Sequence, residues 1–201
     1  MKQFKSFPDF PVDFLRGRWM EFLMSESPDS TSASAPRLAL PAAEGPIFVL
    51  TEELMTQGCE AARRSPRHRI IFPIHRRPEA RVQRMLNFMQ PETYVAPHRH
   101  ALDHAIETVQ VLRGELGFLL FEETGEVVST HRLSEKESVA LLDIEPNLWH
   151  GMVILAPDTV LLEIKRGPYD PTTDKEFAPW APNEGEPGAA EASAGWRALF
   201  D

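Results

Sequence analysis

A single cysteine, Cys59, stands among 201 residues. This chain therefore has no internal disulfide and no thiolate zinc site of its own. Cys59 reads as a small half-buried residue on a helix, and a reducing compartment is compatible with such sparse cysteine. Long apolar runs are missing too. No stretch of about 18 apolar residues exists, so no transmembrane helix is expected. Near the start, Phe4, Phe7, Phe10 and Phe14 are interrupted by Pro8, Asp9, Pro11 and Asp13, which leaves no signal-peptide core. The cytoplasm is the expected compartment. An excess of positive charge is also absent: 21 basic residues face 30 acidic ones, for a net −9. That balance argues against nucleic acid or a membrane surface as a partner.

The chain divides by texture into three parts. Residues 1–46 hold a Phe-rich start, with a short helix possible over Val12–Leu23, and then a Ser/Ala/Pro linker too poor in apolar residues to fold. They read as a disordered or non-native extension, with Met24 as an alternative start. Residues 47–183 are the expected domain. Residues 184–201 are Gly/Ala/Glu-rich and read as a flexible tail. Within the domain, Thr51 can cap a helix over Glu52–Arg64, with Glu52 and Glu53 in its first turn and Arg63 and Arg64 in its last. Beyond it, short β-type segments are separated by turn residues. Strands are predicted over Arg69–Ile74, Val82–Met89, Tyr94–His100, Glu107–Arg113, Glu115–Glu122, Val127–Leu133, Ser138–Ile144, Trp149–Leu155 and Thr159–Lys165, with Gly114, Gly125, Asn147 and Asp158 in turns. So many short strands at regular spacing indicate an all-β sandwich or barrel. Residues 167–183 read as an ordered Pro-rich flap.

Histidines carry the chemical signal. On an extended strand His98 and His100 project to one face, side by side, as chelation of one metal ion requires. Glu107 shares a face with the apolar Val109 and Val111, where an unpaired carboxylate is costly. His150 shares its face with Met152 and Ile154. Three imidazoles and a carboxylate at the mouth of a small barrel make a divalent-metal site with open positions for water, substrate or dioxygen. His104 is a rival ligand to Glu107.

These residues resemble the motifs of the cupin superfamily. The first motif reads PHRHALDHAIETVQVLRG, with the six expected residues between Glu107 and Gly114, and the second reads EPNLWH. Two departures stand out. The gap from His100 to Glu107 is longer than usual, and the second motif has Asn147 where glycine is expected. Asn is the next most tolerant residue of positive φ. The strings SPRHR, ARVQRMLNFM, TYVAPHRH, VLRGELGFLLFEETG, LLEIKRGPYDP and DKEFAPWAPNEG are similar to the WbuC-type cupin-fold metalloproteins over residues 47–185. The resemblance implies a cupin jelly-roll β-barrel (a double-stranded β-helix) with a short N-terminal helix. It also implies one divalent ion (Zn, Fe, Mn or Ni) held by His98, His100, Glu107 and His150. Genes of this type often lie near bacterial surface-polysaccharide genes, which implies sugar chemistry.

Around that site Glu163 and Lys165 share a strand face, and with His104 they are the candidate acids and bases. Of Gln83 and Arg84 one faces inward, to meet substrate or to make a structural pair, while Tyr94 is a candidate hydrogen-bond donor or a core aromatic. Residues 61–84 hold eight Arg, no Lys and one acid, Glu79, hence +7 inside a chain of −9. Such a patch is either a solvated face or a rim for an anionic ligand. The leading expectation is a metal-dependent isomerase or epimerase acting on a small anionic, carbohydrate-type molecule. An Fe(II) dioxygenase and a non-catalytic metal- or sugar-binding module are the alternatives. A homodimer is expected, because open jelly-roll edges must be managed.

Overall fold

The computed structural model describes residues 38–201. Helix α1 (Glu52–Arg64) starts where the Thr51 side chain accepts a hydrogen bond from Leu54 N, at 3.2 Å. It ends at Ser65, ahead of Pro66, and buries Met55, Gly58, Cys59 and Ala62. Ten strands follow: β1 (Arg69–Pro73), β2 (Val82–Met89), β3 (His98–Arg99), β4 (Glu107–Arg113), β5 (Glu115–Phe121), β6 (Val127–Ser134), β7 (Leu141–Ile144), β8 (Trp149–Ile154), β9 (Thr159–Arg166) and β10 (Glu176–Phe177). They form two five-stranded sheets, ordered β1-β2-β9-β4-β7 and β10-β3-β8-β5-β6, with every strand pairing antiparallel. From β2 to β9 the chain passes from one sheet to the other at nearly every step. That winding is the jelly roll, the all-β cupin architecture.

Side-chain alternation gives each sheet an inner and an outer face. Between the sheets lie Met89, Val109, Val111, Leu116, Phe118, Leu133, Ile144, Ile154 and Leu161, all buried. The outer face of the first sheet is covered by α1, with Phe88 against Gly58. The outer face of the second sheet holds another cluster, in which Leu119, Phe121, Trp149 and Val153 pack with Ala178 and Phe200. Burial on both faces explains why β5 reads as a nearly unbroken apolar run. Among the described residues no helix is long and apolar enough to cross a membrane.

Several expectations change. Residues 184–201 are helical and packed: α2 (Ala189–Arg197) and a one-turn 3-10 helix (Ala198–Phe200) lie over the second sheet. Trp196 stacks on Tyr94, with ring centroids 6.1 Å apart, and Phe200 fills the space beside Gly117. Composition suggests looseness there, yet an apolar outer sheet face needs a cover, and few aromatic residues suffice. Packed structure also reaches upstream of residue 47, since Leu40 is buried and its N–H donates to Ile71 O at 2.7 Å. The expected strand from Tyr94 shrinks to His98–Arg99, because Pro97 cannot donate to a ladder. The helix expected over Val12–Leu23, the first part of the linker and the alternative start at Met24 lie outside the described residues.

Contact between α1 and β2 is tight at Gly58, where a Cβ atom would meet the Phe88 ring at 2.4 Å. Gly58→Ala should therefore overpack this contact and cost about 1–3 kcal/mol. Urea unfolding checks this, with Phe88→Leu added to the variant expected to recover part of the loss.

Candidate metal centre

Antiparallel pairing sets His98 of β3 directly opposite His150 of β8. Glu107, at the start of β4 in the other sheet, faces them across the barrel, and His100 follows β3 by one residue. All four side chains are buried, and their ligand atoms lie within 4.8 Å of one another. His100 Nε2 is 3.1 Å and His150 Nε2 3.4 Å from Glu107 Oε2. The turn before β8 works as its sequence suggests, with Asn147 at φ +65° and its N–H donating to His100 O.

Each imidazole is oriented from behind. His98 Nδ1 donates to Ala96 O at 3.0 Å, His150 Nδ1 to Leu148 O at 2.8 Å, and His100 Nδ1 to Asp174 O. A carbonyl oxygen only accepts, so Nδ1 carries a proton in each ring, and the Nε2 lone pairs of His98 and His150 point inward. His98 Nε2 and His150 Nε2 are buried with no hydrogen-bond partner. Such orphaned acceptors converging on a carboxylate fit a cation between them. Burial, with Lys175 and His150 nearby, holds His98 well below the usual histidine range. Burial opposes the charge of Glu107, but the hydrogen bond from His100 and the closeness of the His150 ring outweigh it, so its carboxyl sits well below the ordinary range. Burial likewise opposes charge on His100, yet Glu107 outweighs it and the pKa is raised. In the absence of a cation, His100 must be doubly protonated to satisfy both Asp174 O and Glu107. One divalent ion in place of that second proton satisfies the whole set. Three imidazoles and one carboxylate leave further positions of an octahedral ion open.

Beside this centre lies a cavity of 220 Å³ lined by His100, His104, Lys165, Arg166 and Asp174 among others. His104 is exposed on its wall and stands outside the four-residue cluster. Lys165 is buried, with Nζ 2.6 and 2.8 Å from the Asp174 carboxylate oxygens and 3.8 Å from Glu163. Burial would lower its pKa, but Glu163 and Asp174 reverse the effect. Glu163 is not among the residues lining the cavity, and Asn87 Nδ2 donates to it at 2.9 Å. Burial and the charge of Glu107 raise its pKa.

Three sequence candidates do not join this group. Gln83 faces inward but spends its Nε2 on Pro78 O and Ala80 O, at 2.9 and 2.8 Å. Arg84 is on the opposite face of β2 and lines a different cleft. Tyr94 is not on a strand, so strand parity does not aim it at the histidines; its hydroxyl donates to Pro182 O at 2.6 Å. Asp174 and Asn87, by contrast, are not among the candidates the sequence offers. Asp174 lies in the flap, which β10 fastens to β3 through Phe177 opposite His98. The available signal was the buried lysine and glutamate on β9, which require polar partners.

A family model described as a domain of unknown function (DUF6016) matches residues 50–133. That span contains His98, His100 and Glu107 and ends before His150. No curated protein matches the chain. Among solved structures, the chain is similar to the capsular polysaccharide assembling protein CapF from Staphylococcus aureus, at 18% identity and a TM-score of 0.46, over 53% of this chain and 31% of that one. It is similar to KdgF from Halomonas sp., at 18% identity and 0.39, over 52% and 82%. A mutant of the Bacillus subtilis oxalate decarboxylase OxdC matches at 15% identity and 0.41, over 54% and 27%. The chain thus spans less than a third of the CapF and oxalate decarboxylase chains.

Proposed function

We propose that this protein is a WbuC-type cupin that holds one divalent metal ion through His98, His100, Glu107 and His150. In this reading it isomerises or epimerises a small anionic, carbohydrate-type molecule of surface-polysaccharide metabolism. The convergence of buried Nε2 atoms on Glu107, with every Nδ1 tied to a backbone carbonyl, carries the metal assignment. The WbuC resemblance supports the substrate class. A bound ion would polarise a substrate oxygen as a Lewis acid. The chain's own groups do the rest. His104, at the cavity wall, takes a proton from the carbon beside the substrate carbonyl and returns it to the neighbouring carbon, or to the opposite face of the same carbon once that planar carbon has turned over. Lys165 and Arg166 orient the anionic group, and Glu163 keeps Lys165 charged. The adjoining mixture of Lys165, Asp174 and Thr173 suits a polyol better than an apolar ligand.

The test is deuterium exchange in heavy water, followed by NMR, on sugar phosphates, nucleotide sugars and sugar acids with metal-loaded and metal-free protein. Exchange that needs both the ion and His104 is expected. Oxygen uptake without exchange would assign the Fe(II) dioxygenase reading, and tight metal with neither activity would assign a binding module. Homodimer formation through the open edge of β6 belongs to the same proposal, with light scattering on the same sample expected to give twice the mass of the chain.

A further inference from the structure

The arginine-rich segment divides once it is folded. Arg63 pairs with Asp158, and Arg67 and Arg69 both pair with Glu184. Four others, Arg76, Arg77, Arg81 and Arg84, line one cleft of 650 Å³ together with Pro46, Glu79 and Ala80. Arg76 is held by Gly45 O and Ile74 O. The Arg77, Arg81 and Arg84 side chains are exposed and their guanidinium groups have no ionic or hydrogen-bonding partner among the described residues. Among the described residues Glu79 is the one carboxylate in the lining, which leaves these residues an excess of three positive charges. The cleft shares no lining residue with the cavity beside the metal centre.

These arginines stand on a fixed frame. Buried Gln83 ties down Pro78 O and Ala80 O beneath the loop between β1 and β2. Gly167 N donates to Arg81 O at 2.8 Å, and the two backbones approach so closely that a Cβ at Gly167 would lie 2.1 Å from Ala80 O. Guanidinium groups held together in this way repel one another, and an anion relieves that repulsion. Their planar forks match phosphoryl oxygens in a bidentate manner. None of the described residues lining the cleft is aromatic, so they offer a nucleobase nothing to stack on.

We propose that this cleft is a second binding site, separate from the metal centre, for a small polyanion bearing two phosphoryl groups. It does not depend on the metal reading. The experiment is calorimetric titration of the full chain with inorganic pyrophosphate and, separately, with inorganic phosphate. The protein is first stripped of metal, so that chelation by pyrophosphate cannot contribute. Pyrophosphate should bind at least tenfold more tightly than phosphate, because several guanidinium groups engage it at once. The double variant R81Q/R84Q should weaken it at least tenfold, and R81K/R84K, which keeps charge but loses the fork, by less. R63Q, outside the cleft, should leave it unchanged. Both cleft arginines are exposed, and circular dichroism checks that the variants fold. No pyrophosphate binding by the unsubstituted protein, equal affinity for the two anions, or binding unaffected in R81Q/R84Q would each overturn the proposal.

Discussion

Replacing His150 with phenylalanine should reduce bound metal from one ion per chain to a small fraction of that. The side chain is 1% exposed, and its Nε2 is one of the two orphaned acceptors of the centre. Its ring stacks on Phe118 with centroids 5.6 Å apart. Alanine at this position would open a void and confound metal loss with unfolding, since large-to-small core changes cost about 2–5 kcal/mol. Phenylalanine keeps a ring of similar size and removes the Nε2 donor atom together with the Nδ1–H that holds Leu148 O. Loss of a group that merely orients a ligand costs about 10–100-fold in metal affinity, and loss of the ligand itself should exceed that. Elemental analysis and competition titration with zinc measure the effect. His104→Ala should retain one ion, because His104 lies outside the cluster and Glu107 supplies the fourth donor. A His150→Phe protein that binds metal as tightly as the parent would sink the four-ligand centre, and so would metal loss in His104→Ala.

Legibility of this centre in the sequence followed how local each signal was. His98 and His100 are two residues apart, and extended backbone alone puts them on one side. Glu107, Val109 and Val111 disclose an inward carboxylate by parity. Asn147 at the position of a motif glycine announces positive φ, and the structure has it at +65°. The limits of the strands over Val82–Met89 and Glu107–Arg113 match those expected from the sequence. Parity fails where its premise fails. Tyr94 was aligned with the histidines by a strand that Pro97 cuts short. Arg84 and Gln83 could not be ordered until β2 had a partner, and its pairing with β9 then put Gln83 opposite inward-facing Lys165. The C-terminal segment depended on tertiary demand. Nothing local says that Trp196 and Phe200 are needed to cover Tyr94, Phe121 and Gly117.

Asp174 is the least local of these residues, and its replacement by alanine should uncouple two effects. Its carboxylate neutralises Lys165, while its backbone carbonyl accepts the His100 Nδ1 proton. One flap residue therefore holds both a buried ammonium and the orientation of a proposed ligand. Removing the carboxylate leaves Lys165 with Glu163 as its carboxylate partner, at 3.8 Å. Breaking a fully buried pair costs about 3–5 kcal/mol, but the remaining Glu163 and the partial exposure of Asp174 bring the expected loss nearer to the ~1.5–3 kcal/mol of a charged hydrogen bond. The freed flap should also release His100, lowering zinc affinity about tenfold or more, as loss of an orienting partner does. Adding Lys165→Met separates the two. It removes the uncompensated charge, so stability in urea should largely return, while zinc affinity stays low because the flap has no anchor. Unchanged zinc affinity in Asp174→Ala would show that the flap is held by β10 alone. Recovery of both stability and affinity in the double variant would show that the ammonium, rather than the flap, governs His100.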